Sequence, residues 1–406
     1  MKYVIVLSDG MAGRQLWELG GKTTLQAAAT PVMDALAPVS ELGMAAMVPE
    51  GMAPGSDTAN LAVMGYDPRR YYSGRSPLEA LSIGVEMEDT DVSFRCNIVT
   101  VSEDGGDYED QIMIDHSSDE IDTADAAVLI DALKEGLAKD GYEFYAGTSY
   151  RHLLLQKNGR ISELTPPHDI LTRRIGEYLP KDEVLRGMMK RSYEILKDHP
   201  LNAERRKKGL KPANSAWFWG AGKKPVLTSF EERTGKRGVM ISAVDLLKGI
   251  AVGAGMDRVI VEGANGGLHT NYEGKARAAV KALTEDGYDF AYIHIEAPDE
   301  MGHQGSMRDK IAAIEYVDEK VLGVLTEGLN AWGEDYRLLL LPDHPTPIEV
   351  RTHTGEPVPY LLYDSTCPAK DADGGARYDE QSAARTGNHW PDGFRLIGHL
   401  LQEELC

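Results

Sequence analysis

The chain has 406 residues, with 64 Asp and Glu against 43 Lys and Arg and a net charge of −21. That length allows two or three domains, and the charge argues against nucleic-acid or anionic-membrane partners, whose field repels an acidic chain. Hydrophobic residues at 42% are too many for a disordered chain, and Cys96, Cys367 and Cys406 are too few and scattered for a disulfide framework, so a reducing, cytoplasmic setting is expected.

The first apolar run, Tyr3-Val4-Ile5-Val6-Leu7, is shorter than the ~7–15 residues of a secretory core. No stretch approaches the ~18 apolar residues of a membrane span. The run reads as a buried strand that delivers Ser8-Asp9 at its carboxyl end. Leu16-Trp17-Glu18-Leu19-Gly20-Gly21-Lys22-Thr23 ends like a Walker loop but lacks the leading glycine and the preceding strand, so no nucleotide loop is read there. Pro54-Gly55-Ser56-Asp57-Thr58-Ala59-Asn60 reads as a turn opening a helix. Ser56 then stands at or beside the N-cap, where free N–H groups and the helix dipole favour an anion. Such a serine is ordinarily only a cap. Beside a pair of divalent cations it becomes a competent nucleophile.

Around Glu86, Glu88, Asp89 and Asp91 the composition turns acidic, and Val92 to Val101 then reads as a strand. Asp122 to Asp140 carries apolar residues at 126, 129, 130, 133 and 137 and closes on Gly141, which predicts an amphipathic helix. The Pro- and Lys-rich stretch from His199 to Pro225 reads as a loose return, with Arg205-Arg206-Lys207-Lys208 as a solvated face. The expected organisation is a discontinuous core, 1–86 and 226–406, interrupted by an insert at 87–225.

Strand and helix patterns alternate after the insert, with helices expected over Lys275–Glu285 and Arg308–Leu329. Phe290 to Ile295 runs into Glu296-Ala297-Pro298-Asp299, with His303 four residues on. Arg337 to Leu341 runs into Pro342-Asp343-His344, and His353 follows. Unalternating runs of this kind predict an α/β fold with a mainly parallel sheet between helices, and ligands gather beyond the carboxyl ends of such strands. Three aspartates and three histidines placed this way predict a two-metal site. Mixed carboxylate and imidazole ligands suit Mn²⁺ or Zn²⁺, and a pair ~3.5–4 Å apart can clamp the attacking and leaving oxygens of a phosphoryl or sulfuryl group.

The set Asp9, Ser56, Asp299, His303, Asp343, His344 and His353 resembles the metal and nucleophile pattern of the alkaline phosphatase superfamily. More narrowly, the chain resembles the archaeal-type cofactor-independent phosphoglycerate mutases. The likeness runs through Val6-Leu7-Ser8-Asp9-Gly10, Gly55-Ser56-Asp57-Thr58-Ala59-Asn60-Leu61, Gly65-Tyr66-Asp67-Pro68 and Pro77-Leu78-Glu79-Ala80. It continues through Phe94-Arg95-Cys96-Asn97, Ser149-Tyr150-Arg151-His152 and Ala297-Pro298-Asp299-Glu300-Met301-Gly302-His303.

The resemblance implies an alkaline-phosphatase-like core with an inserted α+β substrate cap. It puts Asp9, Ser56, Asp343 and His344 on one metal and Asp299, His303 and His353 on the other, with Ser56 as the phosphoryl carrier. The two ions are expected to be Mn²⁺, with Zn²⁺ and Co²⁺ as alternatives, and no 2,3-bisphosphoglycerate is required. The implied substrate is a small phosphorylated acid, 3-phosphoglycerate exchanging with 2-phosphoglycerate. Arg75, Arg95 and Arg151 are the candidate groups for its carboxylate and phosphate, because guanidinium recognises both in a planar, bidentate way. His152 is the candidate donor or acid/base, and Arg173, Arg174, Lys224 and His168 are secondary candidates. One departure is Ser76, where such mutases usually have glycine. It keeps open a related phosphotransferase, such as a homoserine kinase, beside a metal-dependent phosphate-ester hydrolase.

Overall fold

Strands Lys2–Ser8, Phe290–Ile295 and Tyr336–Leu341 are buried along almost their whole length, as runs without alternation must be when helices cover both faces of a sheet. The computed structural model describes residues 1–137, 139, 141–367 and 377–402, and Cys406 lies outside them. The chain divides into two units, Met1–Tyr72 with Val226–Cys406, and Ser73–Pro225. Among the described residues no helix is long and apolar enough to cross a membrane.

The first unit is built on an eight-stranded sheet. Its order is His389–Trp390, Ser40–Ala45, Val358–Asp364, Tyr336–Leu341, Lys2–Ser8, Phe290–Ile295, Gly238–Ile241 and Asp257–Val259. Only Val358–Asp364 runs against its two neighbours; every other pairing is parallel. The register matters for the site. Ser8 pairs with Ile295 and Leu7 with Leu341, so Asp9, Glu296 and Asp343 leave the sheet at one edge. Helices Tyr272–Thr284, Met307–Tyr316 and Val324–Trp332 bury Ala276, Ala279, Ile314, Leu325 and Leu329 in the same apolar core as Val4, Val6, Ile293 and Leu340.

The long helix expected over 308–329 is interrupted by a π-helical turn, Val317–Gly323. The widened turn brings buried Asp318 under helix Pro31–Leu36, whose Thr30 makes no side-chain cap. Asp318 accepts from the N–H groups of Val32 and Met33 at 3.1 and 2.7 Å, and so satisfies donors that a helix start leaves open.

The second unit is an antiparallel sheet in the order Met113–Asp115, Val92–Val101, Arg151–Gln156 and Tyr142–Tyr145, with Ser215–Lys223 paired to Val92–Val101. Helices Thr123–Leu137 and Glu183–Leu196 put Leu129, Leu133, Leu185 and Met189 into a core with Phe94, Cys96, Ile98 and Phe218. Two expectations are corrected here. The stretch from His199 to Pro225 is no loose return. It holds helix Pro200–Lys207 and strand Ser215–Lys223, whose buried Trp217, Phe218 and Trp219 outweigh the surrounding Pro, Gly and Lys.

The first boundary also falls at 72/73 rather than 86/87. Helix Arg75–Ser82 packs on strands Val92–Val101 and Ser215–Lys223 and belongs to the second unit. The acidic residues that suggested a junction form the turn after that helix. There Asp91 accepts from the Glu88 N–H and the Lys157 ammonium, both at 3.0 Å.

Candidate metal centre and nucleophile

The strand ends deliver their side chains into one buried cluster. Asp9, Asp343 and His344 offer ligand atoms within 4.8 Å of one another, and so do Asp299, His344 and His353. His344 therefore stands in both groups, where the resemblance had assigned it to one. His303 joins the second through its Nε2, 3.1 Å from Asp299 Oδ2 and 3.0 Å from His353 Nε2. Ser56 begins helix Ser56–Val63, with Gly55 at the cap, and its Oγ lies 3.1 Å from His344 Nε2. The metal-ligand candidates and the nucleophile candidate read from the sequence all meet here.

Partners around the cluster set which atoms face inward. Arg351, held in the left-handed region at φ 58°, places its carbonyl 3.0 Å from His303 Nδ1. The Thr346 hydroxyl donates to Asp299 Oδ1, leaving its oxygen free to accept from His344 Nδ1 at 3.3 Å. In both histidines the proton is thereby drawn to Nδ1, and the lone pair of Nε2 points into the cluster. Asp343 is fixed by the Gly10 and His344 N–H groups at Oδ1, at 3.2 and 2.9 Å, and by Asn60 Nδ2 at Oδ2, at 2.8 Å. Tyr292 holds Asn60 in turn through a 2.6 Å hydrogen bond. Gly10, at φ 61°, could not carry a side chain: a Cβ would stand 2.5 Å from Asp299 Oδ1.

The donor set fits divalent cations. Asp9 Oδ1 is buried with no hydrogen-bond partner, and bare imidazole nitrogens face each other and a carboxylate at about hydrogen-bond distance. Such an arrangement is repulsive unless protons or cations stand between the donors. The titration of the groups says the same. Burial, followed by the charges of Asp343, Asp299 and Glu296, pushes the Asp9 carboxyl well above its ordinary range. Burial would also raise Asp299, but His303 and His353 hold it well below. His344 is lowered by burial. His303 is raised to about 9, its burial outweighed by Asp299.

The sequence reading missed the groups that orient these ligands: Asn60, Tyr292, His294, Ser242 and Thr346. Asn60 stands one helical turn from Ser56, a spacing that could have been used. Tyr292 and His294 are polar interruptions in an otherwise apolar strand, and that was the available signal.

In the second unit, Arg75 and Arg95 share Glu79, whose two oxygens take Arg75 Nε at 3.1 Å and Arg95 Nε at 2.9 Å. Arg95 is 5% exposed and its guanidinium lies 4.2 Å from the centre of the Trp219 ring. Burial, with Arg75 and Arg151 adding to it against Glu79, brings the Arg95 guanidinium down to about 10. Trp219 Nε1 donates to Asn97, and His168 rests edge-on against Trp219. His116, which the sequence did not single out, contacts both His168 and Tyr150. Arg151 stacks on Tyr150 and is exposed.

Three candidates do not join this cluster, and one faces away from it. Arg173 bonds Tyr178, Arg174 pairs with Asp110, and Lys224 pairs with Asp89, all at the surface. His152 follows Arg151 on the same strand, so it faces the opposite side of the sheet from Arg95, Asn97 and Arg151. Its Nδ1 accepts from the Gly147 N–H at 3.1 Å, its Nε2 is buried without a partner, and burial lowers it to about 3. Ser76 is fully buried and bonds Ser93 O and Oγ at 2.7 and 2.9 Å. The departure at that position is a packing feature of the second unit.

The profile of a family described as 2,3-bisphosphoglycerate-independent phosphoglycerate mutase matches residues 37–202. A Geobacter sulfurreducens protein named "Probable 2,3-bisphosphoglycerate-independent phosphoglycerate mutase" is 47% identical over 405 residues, 99% of this chain and all of its own. The solved structure of a Pyrococcus horikoshii protein is similar at a TM-score of 0.79 and 27% identity, covering 99% of this chain and 97% of that one. The cofactor-independent phosphoglycerate mutase of Thermoplasma acidophilum is similar at a TM-score of 0.62 and 27% identity, with 99% of both chains covered. At such identity over the whole length, the chain belongs to the 2,3-bisphosphoglycerate-independent phosphoglycerate mutase family.

Proposed function

We propose that this protein interconverts 3-phosphoglycerate and 2-phosphoglycerate without 2,3-bisphosphoglycerate, with Ser56 as the phosphoryl carrier. The observation that carries the reading is Ser56 Oγ at a helix start, 3.1 Å from His344 Nε2, beside buried carboxylate and imidazole groups in a chain of this family. Asp9, Ser56, Asp343 and His344 would hold one divalent ion and Asp299, His303 and His353 the other, with Mn²⁺ the best match to the oxygen and nitrogen donors. When bound, such a pair lowers the pKa of a nearby hydroxyl and stabilises charge on a transferring phosphoryl group.

Ser56 Oγ attacks phosphorus, and the bond from phosphorus to the 3-oxygen breaks. The proton lost by Ser56 is balanced by the one taken up at the departing oxygen. After glycerate turns over, its 2-hydroxyl attacks the phosphoserine, and Ser56 regains a proton as the 2-hydroxyl loses one. The N-terminus of helix Ser56–Val63 suits an anion at Ser56 throughout.

The second unit is proposed as the substrate cap. Its task is to retain glycerate and exclude water between the two transfers, since water would turn the mutase into a phosphatase. Arg95 and Arg151 share one face of its sheet, and Arg75 joins Arg95 through Glu79, which suits recognition of a carboxylate. His152 does not suit that role, because it points to the other face. The substrate is a small phosphorylated acid, and the free thiols of Cys96 and Cys367 suit a reducing cytoplasm.

The test is a paired assay on purified protein. With Mn²⁺ and no 2,3-bisphosphoglycerate the wild type should interconvert the two phosphoglycerates, chelation should abolish activity, and Ser56→Ala should be inactive. An active Ser56→Ala protein, or full activity after exhaustive chelation, would refute the mechanism. ATP-dependent phosphorylation of homoserine without mutase activity would refute the substrate.

A further inference from the structure

His294 is the one buried histidine at this edge whose proton points the other way. It stands on strand Phe290–Ile295, fully buried, with Nε2 2.9 Å from Asp9 Oδ2 and Nδ1 3.1 Å from Ser242 Oγ. The Val244 N–H donates to Ser242 Oγ at 3.0 Å, so that oxygen already serves as an acceptor. Its hydroxyl proton then has His294 Nδ1 as the acceptor within reach. With Nδ1 accepting, the ring proton resides on Nε2 and is donated to Asp9. The donors therefore run Val244 N–H, Ser242 O–H and His294 Nε2–H, and the chain ends on Asp9 Oδ2 as acceptor. His303 and His344 have the opposite arrangement, with Nδ1 bonded outward, to the Arg351 carbonyl and the Thr346 hydroxyl, and Nε2 turned into the cluster.

We infer that His294 and Ser242 are positioning residues that lock Asp9 so that a single oxygen, Oδ1, is offered to a cation. The two oxygens of Asp9 are unequal in this structure: Oδ2 is engaged by His294, whereas Oδ1 is buried, has no hydrogen-bond partner and lies 3.6 Å from His344 Nε2. An unconstrained carboxylate could rotate or present either oxygen. One held by a fixed donor cannot without breaking a buried hydrogen bond. Ser242 acts one step further out by selecting the tautomer. If Nδ1 carried the proton, Nε2 would present a lone pair to Asp9 Oδ2 and repel it. The backbone that carries the ring is held as well, because Lys275 Nζ donates to the His294 carbonyl at 3.0 Å. Partners of this kind contribute about 10- to 100-fold in metal affinity.

This inference rests on the metal-dependent reading above, and its test reads metal binding by the apoprotein rather than turnover. Mn²⁺ titration of the metal-free full chain, followed by calorimetry and by the spin-resonance signal of free Mn²⁺, should show two sites in the wild type. His294→Phe keeps a ring but removes the donor, and should weaken one site about 10- to 100-fold while leaving the other near its wild-type affinity. His294→Gln places an amide N–H near the position of Nε2 and should recover most of the loss. Ser242→Ala should fall between wild type and His294→Phe, and Ser242→Thr should restore it. Thermal unfolding of each metal-free variant identifies any that fail to fold, and the graded Ser242 pair then decides the question without the ring replacement. Unchanged Mn²⁺ affinity in His294→Phe and Ser242→Ala, or a His294→Gln as weak as His294→Phe, would overturn the inference. Equal weakening of both sites would also overturn it. A wild type that binds two ions and loses one site in His294→Phe, yet does not interconvert phosphoglycerates, would support the positioning role and refute the proposed activity.

Discussion

The two units handle charge in opposite ways. In the first, a mainly parallel sheet collects Asp9, Asp299 and Asp343 beyond strand ends that stop in register, and the carboxylates crowd together with imidazoles as their neighbours, His303 beside Asp299. In the second, an antiparallel sheet displays Arg95 and Arg151 on one face, and Glu79 and the Trp219 ring meet the buried guanidinium. A parallel sheet gathers function at an edge, through the residue after each strand. An antiparallel sheet gathers it on a face, through every second residue. The first unit is thus left with excess negative charge for a metal to neutralise. The second groups Arg75, Arg95 and Arg151 against Glu79, a local positive excess suited to an organic anion.

The largest expected effect breaks the first half of this contrast. Asp9→Asn removes one buried negative charge from a site where burial, Asp343 and Asp299 all disfavour it. The metal-free variant should be more stable than the metal-free wild type, by about 1 kcal/mol in thermal or denaturant unfolding. Activity with Mn²⁺ should nonetheless fall roughly 10³-fold or more, because a carboxylate proposed to hold one of the two cations is lost. A variant less stable in the metal-free state would show that the carboxylates are not in tension there.

Arg95→Lys tests the other half. A lysine keeps the charge but cannot stack flat on Trp219 or bind a carboxylate through two parallel donors. The expected loss is about 10- to 100-fold in kcat/KM, with Mn²⁺ affinity unchanged. A parallel loss of Mn²⁺ affinity would contradict the division of labour between the units. Ser76→Gly should do less. It deletes a buried hydroxyl bonded to Ser93 and places glycine in helix Arg75–Ser82, costing about 1–3 kcal/mol of stability in denaturant unfolding. The choice between phosphoglycerate and homoserine should not change. A switch of acceptor would show that Ser76 sets specificity despite its burial.

The same contrast explains what could be read from the sequence. Asp9, Asp299 and Asp343 were legible because each follows a short, mostly apolar run, and a strand that runs into a carboxylate is a local pattern. The core strands and the helix after Ser56 were legible for the same reason. Asn60, Thr346 and Ser242 were not, since each acts through a residue distant in sequence: Asn60 on Asp343, Thr346 on Asp299 and Ser242 on His294. In the second unit adjacency misled. Arg151 and His152 were both read as site candidates from one short motif, and strand alternation sends them to opposite faces. The boundary at 86 misled because composition marks a solvated turn as readily as a domain junction.

His152 gives the smallest effect and a direct check on that alternation. A histidine buried neutral in the fold, with its pKa brought down to about 3 chiefly by burial, still titrates near 6.5 once the chain unfolds. The unfolded state therefore takes up the proton first. Stability from this group is complete above about pH 6.5 and is lost as pH falls from there toward about 3, by at most about 1.4 kcal/mol per pH unit. Acid protonates carboxylates too, so the difference between wild type and His152→Phe isolates the contribution. The wild type should lose stability faster than the variant between about pH 6 and 4, in urea unfolding followed by the fluorescence of the second unit's tryptophans. Parallel curves would place His152 in water, on the same face as Arg151, and would return it to the substrate-binding candidates. A steeper wild-type curve keeps it in the core behind the sheet, where its proximity to Arg151 in sequence has no chemical consequence.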